Sequence, residues 1–170
     1  YMHELGCQLG TRDANTEGKQ DNVAVLDFSY PICFNDGSFG AEFFGAGPAS
    51  LNQVSISVKY FASGYYNCTG AGKTSKLVIG VGTNNKPYSC NTAAKLTEHG
   101  AAWSAMISEI NQWMLNEGIF HQVQAYGAND IELGWNNPTL TKAWITGFEQ
   151  EEENFFLHFG DAAGCPYEEK

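Results

Sequence analysis

Short apolar runs that end near acidic or amide residues constrain the fold of this chain more than any other feature. Val23–Phe28 and Lys76–Asn84 are nearly continuous apolar runs, as expected for strands buried on both faces of a parallel sheet. Residues 122–132 and 155–161 repeat the pattern, and helical patterns separate the runs. This alternation predicts an α/β fold, with a parallel sheet of β/α units joined by right-handed crossovers.

The stretches outside these strands divide into irregular and helical regions. Residues 1–22 lack periodicity and are predicted to be an extended lead-in to a β/α domain at 23–170. Residues 32–50 are rich in Gly and Phe and are predicted to form a long loop. Alternating β-branched residues leave a strand open as an alternative to a helix at 51–66. Helices are predicted between the strands, at residues 51–66, 99–117 and 139–149.

Local signals indicate where two of these helices begin or end. Gly118 is expected to stop the second helix, and Asn137 or Thr139 to cap the third. His99 lies at the start of the second helix, and we expect it to cap or to pack rather than to act as a ligand.

Carboxylates gather at the predicted carboxyl ends of the strands. Asp130 and Glu132 are two residues apart on one strand, so their side chains share a face. Neighbouring carboxylates repel when both are ionised, and the usual result is that one keeps a proton near neutral pH. A protonated acid beside an ionised base can hydrolyse glycosidic bonds. Asp27 and Asp161 also end strands, so all four acids are expected to point into one mouth, although solvated or capping acids are the simpler alternative.

Other side chains near these strand ends are candidates for binding a substrate. Trp135 follows Glu132 closely, where an indole could stack on a sugar and raise the pKa of the acid by desolvation. Asn84 and Tyr126 are further candidates for substrate binding. A calcium site that combines the acids with Asn84 and Asn129 is an alternative, without a recognisable loop spacing to support it. No phosphate loop or dinucleotide fingerprint occurs, so no cofactor and no metal are expected.

Charge and cysteine content indicate the compartment. The net charge of −10 argues against nucleic acid as a partner, and no apolar run reaches the roughly 20 residues that span a bilayer. Sparse charge and five cysteines outside any Cys-x-x-Cys pair predict a secreted protein with at least one disulfide. Cys68 with Cys90 is the favoured pair because the two flank one predicted strand, and Cys7 with Cys33 is a second possibility.

Several motifs together resemble a group of secreted bacterial proteins, common in actinobacteria, that have a glycoside-hydrolase-like TIM barrel. A looser similarity is to the family 25 glycoside hydrolases, the lysozymes that cut peptidoglycan. By this resemblance Glu132 would be the acid and Asp130 its partner, with Asp27 and Asp161 on other strands. The motifs are Gly10-Thr11 with Ala14-Asn15, Val25–Phe28, Gly64–Tyr66, Ile79–Asn84, His99–Trp103, Gly127–Trp135 and Phe159–Pro166.

The resemblance implies a secreted, glycoside-hydrolase-like protein that acts on a polysaccharide. The alternative is a non-catalytic protein on the same scaffold, either carbohydrate-binding or structural and self-assembling. About four β/α units are visible where a TIM barrel has eight, so the chain is predicted to be the N-terminal part, about half, of a barrel, with paired half-barrels or an open sheet as alternatives. Such a half would pair with a C-terminal half or with a second copy, with Phe39, Phe43 and Phe44 as candidate contacts.

Overall fold

The computed structural model describes residues 1–16, 23–43, 45–70, 75–84, 86–131, 137–151 and 154–159. Its described part contains one parallel sheet, one small antiparallel sheet and a set of helices. In chain order the elements are α1 (Met2–Asn15), β1 (Val23–Asp27), β2 (Pro31–Cys33), β3 (Phe39–Glu42), β4 (Pro48–Ser50), α2 (Leu51–Thr69), β5 (Leu77–Asn84), α3 (Ala93–Asn116), β6 (Val123–Asp130), α4 (Pro138–Glu151) and β7 (Phe156–Phe159).

The parallel sheet confirms the α/β prediction. Its strand order is β1-β5-β6-β7, so that neighbours in the sheet are also successive strands of the β/α units. The helices α2, α3 and α4 form the connections between these strands. A sheet that never reverses its strand order is singly wound, unlike the doubly wound sheets in which the order reverses.

The two faces of the sheet differ in how they are covered. Leu26, Val81 and Gly127 lie side by side in the register, and their face packs on the three crossover helices to form the core. The other face begins with Val23 and Val25 on β1, which are 48% and 41% exposed. The helices therefore lie on one side, and the described residues leave much of the opposite side of β1 open.

The helices between the strands begin and end at capping residues. At the start of α2, the Ser50 hydroxyl accepts a bond from the Gln53 backbone N–H, and the Gln53 side chain accepts one from the Ser50 backbone N–H. Residues 51–66 are therefore helix and not the alternative strand. The helix α3 starts earlier than predicted, at Ala93 after the Thr92 cap, and the chain turns away at Gly118 with φ +72°. Asn137 caps α4 by accepting bonds from the backbone N–H groups of Thr139 and Leu140, as the sequence predicted.

The prediction of an extended lead-in at residues 1–22 is wrong for its described part, because Met2–Asn15 is the helix α1. This helix packs along α2 through glycines on both sides. A Cβ atom at Gly6 would overlap the Phe61 carbonyl, and one at Gly64 would overlap the His3 carbonyl. Met2, Leu5 and Leu9 supply the apolar contacts of α1, but glycines occupy most of the rest of its buried face, so the hydrophobic pattern of this helix is weak.

Residues 32–50 are not one long loop, because they contain the strands β2, β3 and β4 in an antiparallel sheet. This small sheet connects the carboxyl end of β1 to the start of α2. Glu42 holds one of its turns by accepting bonds from the backbone N–H groups of Gly45 and Gly47. Phe43 is partly buried and packs on Phe28 at the edge of the core, and Phe44 lies outside the described residues, so their contact with another chain stays a prediction.

The predicted disulfide between Cys68 and Cys90 is wrong, although the expectation of at least one disulfide is confirmed. Cys68 pairs with Cys7, and Cys90 pairs with Cys33, so the second proposed pair is wrong as well. Cys68 and Cys90 flank the eight-residue strand β5 at opposite ends. A strand of that length spans about 26 Å, whereas bonded cysteines have Cα atoms about 4.4–6.8 Å apart. The fifth cysteine, Cys165, lies outside the described residues.

Disulfides of this kind fit an extracellular, oxidising environment. Within the described part of the chain, no helix is both long and apolar enough to span a membrane.

Candidate functional site

The carboxyl ends of β1, β5 and β6 bring three of the predicted site residues onto one face. Asp27 is in register with Gly82, and Asn84, two residues beyond Gly82, is in register with Asp130. Side chains two apart on a strand point the same way, so Asp27, Asn84 and Asp130 share the face that the helices leave open. Strand spacing and rise place the Cα atoms of Asp27 and Asp130 about 12 Å apart. We call these three residues the rim.

The backbone beyond Asp27 turns sharply. The β1–β5 hydrogen bonds continue past the strand, from the Phe28 N–H to the Gly82 carbonyl at 2.7 Å and from the Asn84 N–H to the Ser29 carbonyl at 2.6 Å. Ser29 has φ +59°, which in the described residues is the one positive value at a residue other than glycine. Such strained backbone is concentrated at functional sites, and here it redirects the chain immediately after a candidate carboxylate.

The rim residues are unequally accessible. The Oδ1 atom of Asp27 is buried, while the residue as a whole is partly exposed. Asn84 is only 2% exposed, and its Oδ1 accepts a bond from the Lys86 backbone N–H at 3.0 Å. Its side chain therefore shapes the loop after β5, and a role in contacting substrate stays a prediction. Asp130 is partly exposed at the last position of β6.

Tyr126 shares the open face but not the rim. It precedes Asp130 by four residues on β6, which corresponds to about 13 Å along the strand. Its ring packs against that of Phe155, with centroids 5.5 Å apart. The structure thus separates Tyr126 from the carboxylates with which the sequence grouped it.

The remaining predicted site residues, Glu132, Trp135 and Asp161, lie outside the described residues. Their predicted positions in one mouth with Asp27 and Asp130 stay a prediction. Among the residues that the structure describes, no group of three or more His, Cys, Asp or Glu side chains is arranged to hold a metal ion. The calcium alternative depended partly on the acids at 132 and 161.

The groups with shifted pKa values lie away from the rim. Burial lowers the pKa of His99 to about 4 and raises that of Tyr65 to about 12, where the hydroxyl also donates to Asp13. Burial opposes ionisation of Glu109, but bonds from Lys59 and Ser55 outweigh it and lower its pKa. His99 is fully buried inside α3, so the packing role that the sequence predicted is confirmed and the cap is not.

Sequence reasoning missed an aromatic pair beside the rim. The rings of Tyr30 and Tyr88 lie 5.1 Å apart between centroids, in the segments that follow β1 and β5. Tyr88 was detectable in principle as a loop tyrosine just beyond a predicted strand end. Its contact with Tyr30 depends on how the two loops are held, which no local pattern records.

The fold and the rim define a singly wound α/β domain that carries two acids at the carboxyl ends of its parallel strands. No protein-family model, curated protein or solved structure matches the chain significantly. Its function must therefore be inferred from the geometry of its own residues.

Proposed function

We propose that this chain is a secreted, glycoside-hydrolase-like domain that hydrolyses a polysaccharide by carboxylate acid–base chemistry. One observation supports the proposal most: Asp27 and Asp130 share a face at the carboxyl ends of parallel strands in a singly wound sheet. Parallel α/β folds bind and transform ligands at that edge, because loops of several units converge there. The two disulfides are consistent with action outside the cell.

The proposed chemistry assigns different roles to the acids. Glu132 serves as the general acid, with Trp135 as the apolar wall that keeps it protonated, and Asp130 as the nucleophile or stabiliser. Asp27 and Asp161 orient or tune this pair. A separation of about 5–5.5 Å between the acid and the base carboxyl groups would imply a retaining mechanism, and about 6.5–9.5 Å an inverting one.

The substitution Glu132→Gln tests the assignment. The parent is first screened for release of reducing ends from peptidoglycan, chitin and plant polysaccharides. On any substrate that is cut, Glu132→Gln should lower the rate about 10²–10⁴-fold, because a positioned proton donor is lost. Its melting temperature should stay near that of the parent.

Glu117→Gln is the matched control, because it removes the same charge at a site away from the rim. Glu117 is exposed at the end of α3. It should hydrolyse the substrate at the parental rate. Unchanged turnover in Glu132→Gln would show that Glu132 is not the general acid. A parent that hydrolyses none of the glycans would contradict the enzymatic proposal.

A second candidate function is favoured by the uncovered sheet face. Val23, Val25 and Phe155 are exposed on or beside that face, and apolar surface of this kind invites a protein partner. In this alternative the domain binds carbohydrate or builds an extracellular structure without catalysis, by pairing its open face. The same pairing would complete a TIM barrel, which needs eight strands where the described sheet has four.

A further inference from the structure

The pair of tyrosines beside the rim has the chemistry of a sugar-binding platform. The rings of Tyr30 and Tyr88 are tilted by 48° with centroids 5.1 Å apart, so that they form a joined aromatic surface. Tyr88 is 63% exposed, and Tyr30 is partly exposed. A pyranose ring offers an apolar C–H face to such rings and hydroxyls to the tyrosine O–H groups.

The platform follows two rim residues along the chain, one on each of two strands. Tyr30 follows Asp27 by three residues, a reach of at most about 11 Å, and Tyr88 follows Asn84 by four, at most about 14 Å. The hydrogen bond between Asn84 and Ser29 joins the two segments at their origin. The aromatic pair is therefore within reach of the same short oligosaccharide that would occupy the rim.

The loop that carries Tyr88 is fixed rather than free. Cys90 is bonded to Cys33 of β2, and the Cys33 backbone N–H donates to the Ser89 hydroxyl at 2.9 Å. Lys95 donates from its Nζ to the Ser89 carbonyl at 3.3 Å. On the other side, the Glu42 backbone N–H donates to the Tyr30 carbonyl at 2.9 Å.

The disulfide at Cys90 and the bonds to Ser89 lie within two residues of Tyr88. Because the disulfide and the backbone hydrogen bonds hold both segments, the exposed aromatic surface is already ordered. Binding a ligand there therefore costs little conformational entropy. This preorganisation next to the carboxyl ends of the strands is what separates Tyr88 from the exposed Tyr60 on α2.

We propose that Tyr30 and Tyr88 form a saccharide-binding subsite that holds a polysaccharide chain beside the rim. The inference rests on the proposed function for the class of ligand, and it names the residues that position that ligand. The subsite contributes affinity through stacking and takes no part in proton transfer.

Binding of the whole chain to insoluble chitin, peptidoglycan and cellulose tests the subsite, with chito- and cello-oligosaccharides as soluble competitors. Tyr88→Ala should bind the retained glycan about threefold to tenfold more weakly, because the stacking surface is lost. Tyr88→Phe keeps the ring and should bind close to the parent. Tyr60→Ala is the matched control, as Tyr60 is similarly exposed at 58% but lies on α2, and it should bind like the parent.

The outcomes separate the subsite from the catalytic proposal. Parental binding by Tyr88→Ala, with hydrolysis intact, would overturn the subsite and leave the enzyme standing. Weakened binding by Tyr88→Ala in a parent that hydrolyses no glycan would support the subsite and end the enzymatic proposal. A parent that retains none of the three glycans would overturn the subsite outright.

Discussion

The buried His99 makes the stability of this protein depend on pH in a way that can be calculated. His99 lies wholly inside the core, and its Nδ1 is 3.0 Å from Trp144 Nε1. An indole nitrogen can only donate, so Nδ1 must accept, and Nε2 carries the proton and donates to the Gly40 carbonyl at 2.8 Å. Protonation would place a second hydrogen on Nδ1, facing the Trp144 N–H. The folded protein therefore requires neutral imidazole.

The magnitude follows from the pKa of His99. Burial lowers it from the ordinary 6.5 to about 4, against a smaller opposing contribution from the Gly40 carbonyl. Between these two pKa values the unfolded chain binds a proton at His99 and the folded chain does not, so the free energy of unfolding falls as the pH falls. Each pKa unit corresponds to about 1.4 kcal/mol, and the loss between pH 7 and pH 4 is roughly 3 kcal/mol.

The assay is urea unfolding of the parent, His99→Gln and His121→Gln at pH 7, 5.5 and 4.5. Gln can keep both hydrogen bonds without titrating, so His99→Gln should lose roughly 2 kcal/mol less than the parent between pH 7 and 4.5. His121 is exposed beside Tyr66, and its variant should follow the parent. Because all other titrating groups are shared, parallel pH curves for the parent and His99→Gln would refute the reasoning.

Two further predictions concern the helix pair and the open sheet face. Gly64→Ala would normally favour a helix by about 0.5–1 kcal/mol, but the new Cβ would overlap the His3 carbonyl. We therefore expect the free energy of unfolding to fall by about 1–3 kcal/mol and the melting temperature by roughly 3–10 °C. Ser63→Ala is the control, and a higher melting temperature in Gly64→Ala would contradict the backbone contact. Val25→Lys should weaken self-association measured by light scattering, because it charges the open face, whereas a parent that is monodisperse and monomeric would rule out pairing through that face.

The strands were predictable because each is a short apolar run whose ends are marked by polar or turn residues. The predicted strand at Lys76–Asn84 is the observed Leu77–Asn84, whereas the register that places Asp27 beside Gly82 is set by the packing of the two strands. Helix α1 was not predictable in this way. Its buried positions include Gly6 and Gly10, which pack by backbone contact, and Asp13, which accepts a bond from the Tyr65 hydroxyl, and none of these carries a hydrophobic signal.

In the candidate site, too, features within the strands were predictable and contacts between loops were not. Asp27 and Asp130 lie on one face, as predicted, because the two-residue period of each strand is combined with the registers of β1 with β5 and of β5 with β6. Pairing Tyr30 with Tyr88, or Cys33 with Cys90, depends on how separate loops meet in space. The predicted pair of Cys68 and Cys90 was wrong because the two cysteines are close along the chain but lie at opposite ends of an extended strand.

The order of the strands also bears on how the protein is made. Since β1, β5, β6 and β7 are neighbours in the order of synthesis, each strand after β1 finds a partner already present when it leaves the ribosome. The strand β1 has to wait for β5, but once these two have paired, β6 and β7 can each add to a strand that has already been made. The described sheet therefore grows at the edge opposite β1, and the most recent strand is the one that offers an unpaired edge to the next strand.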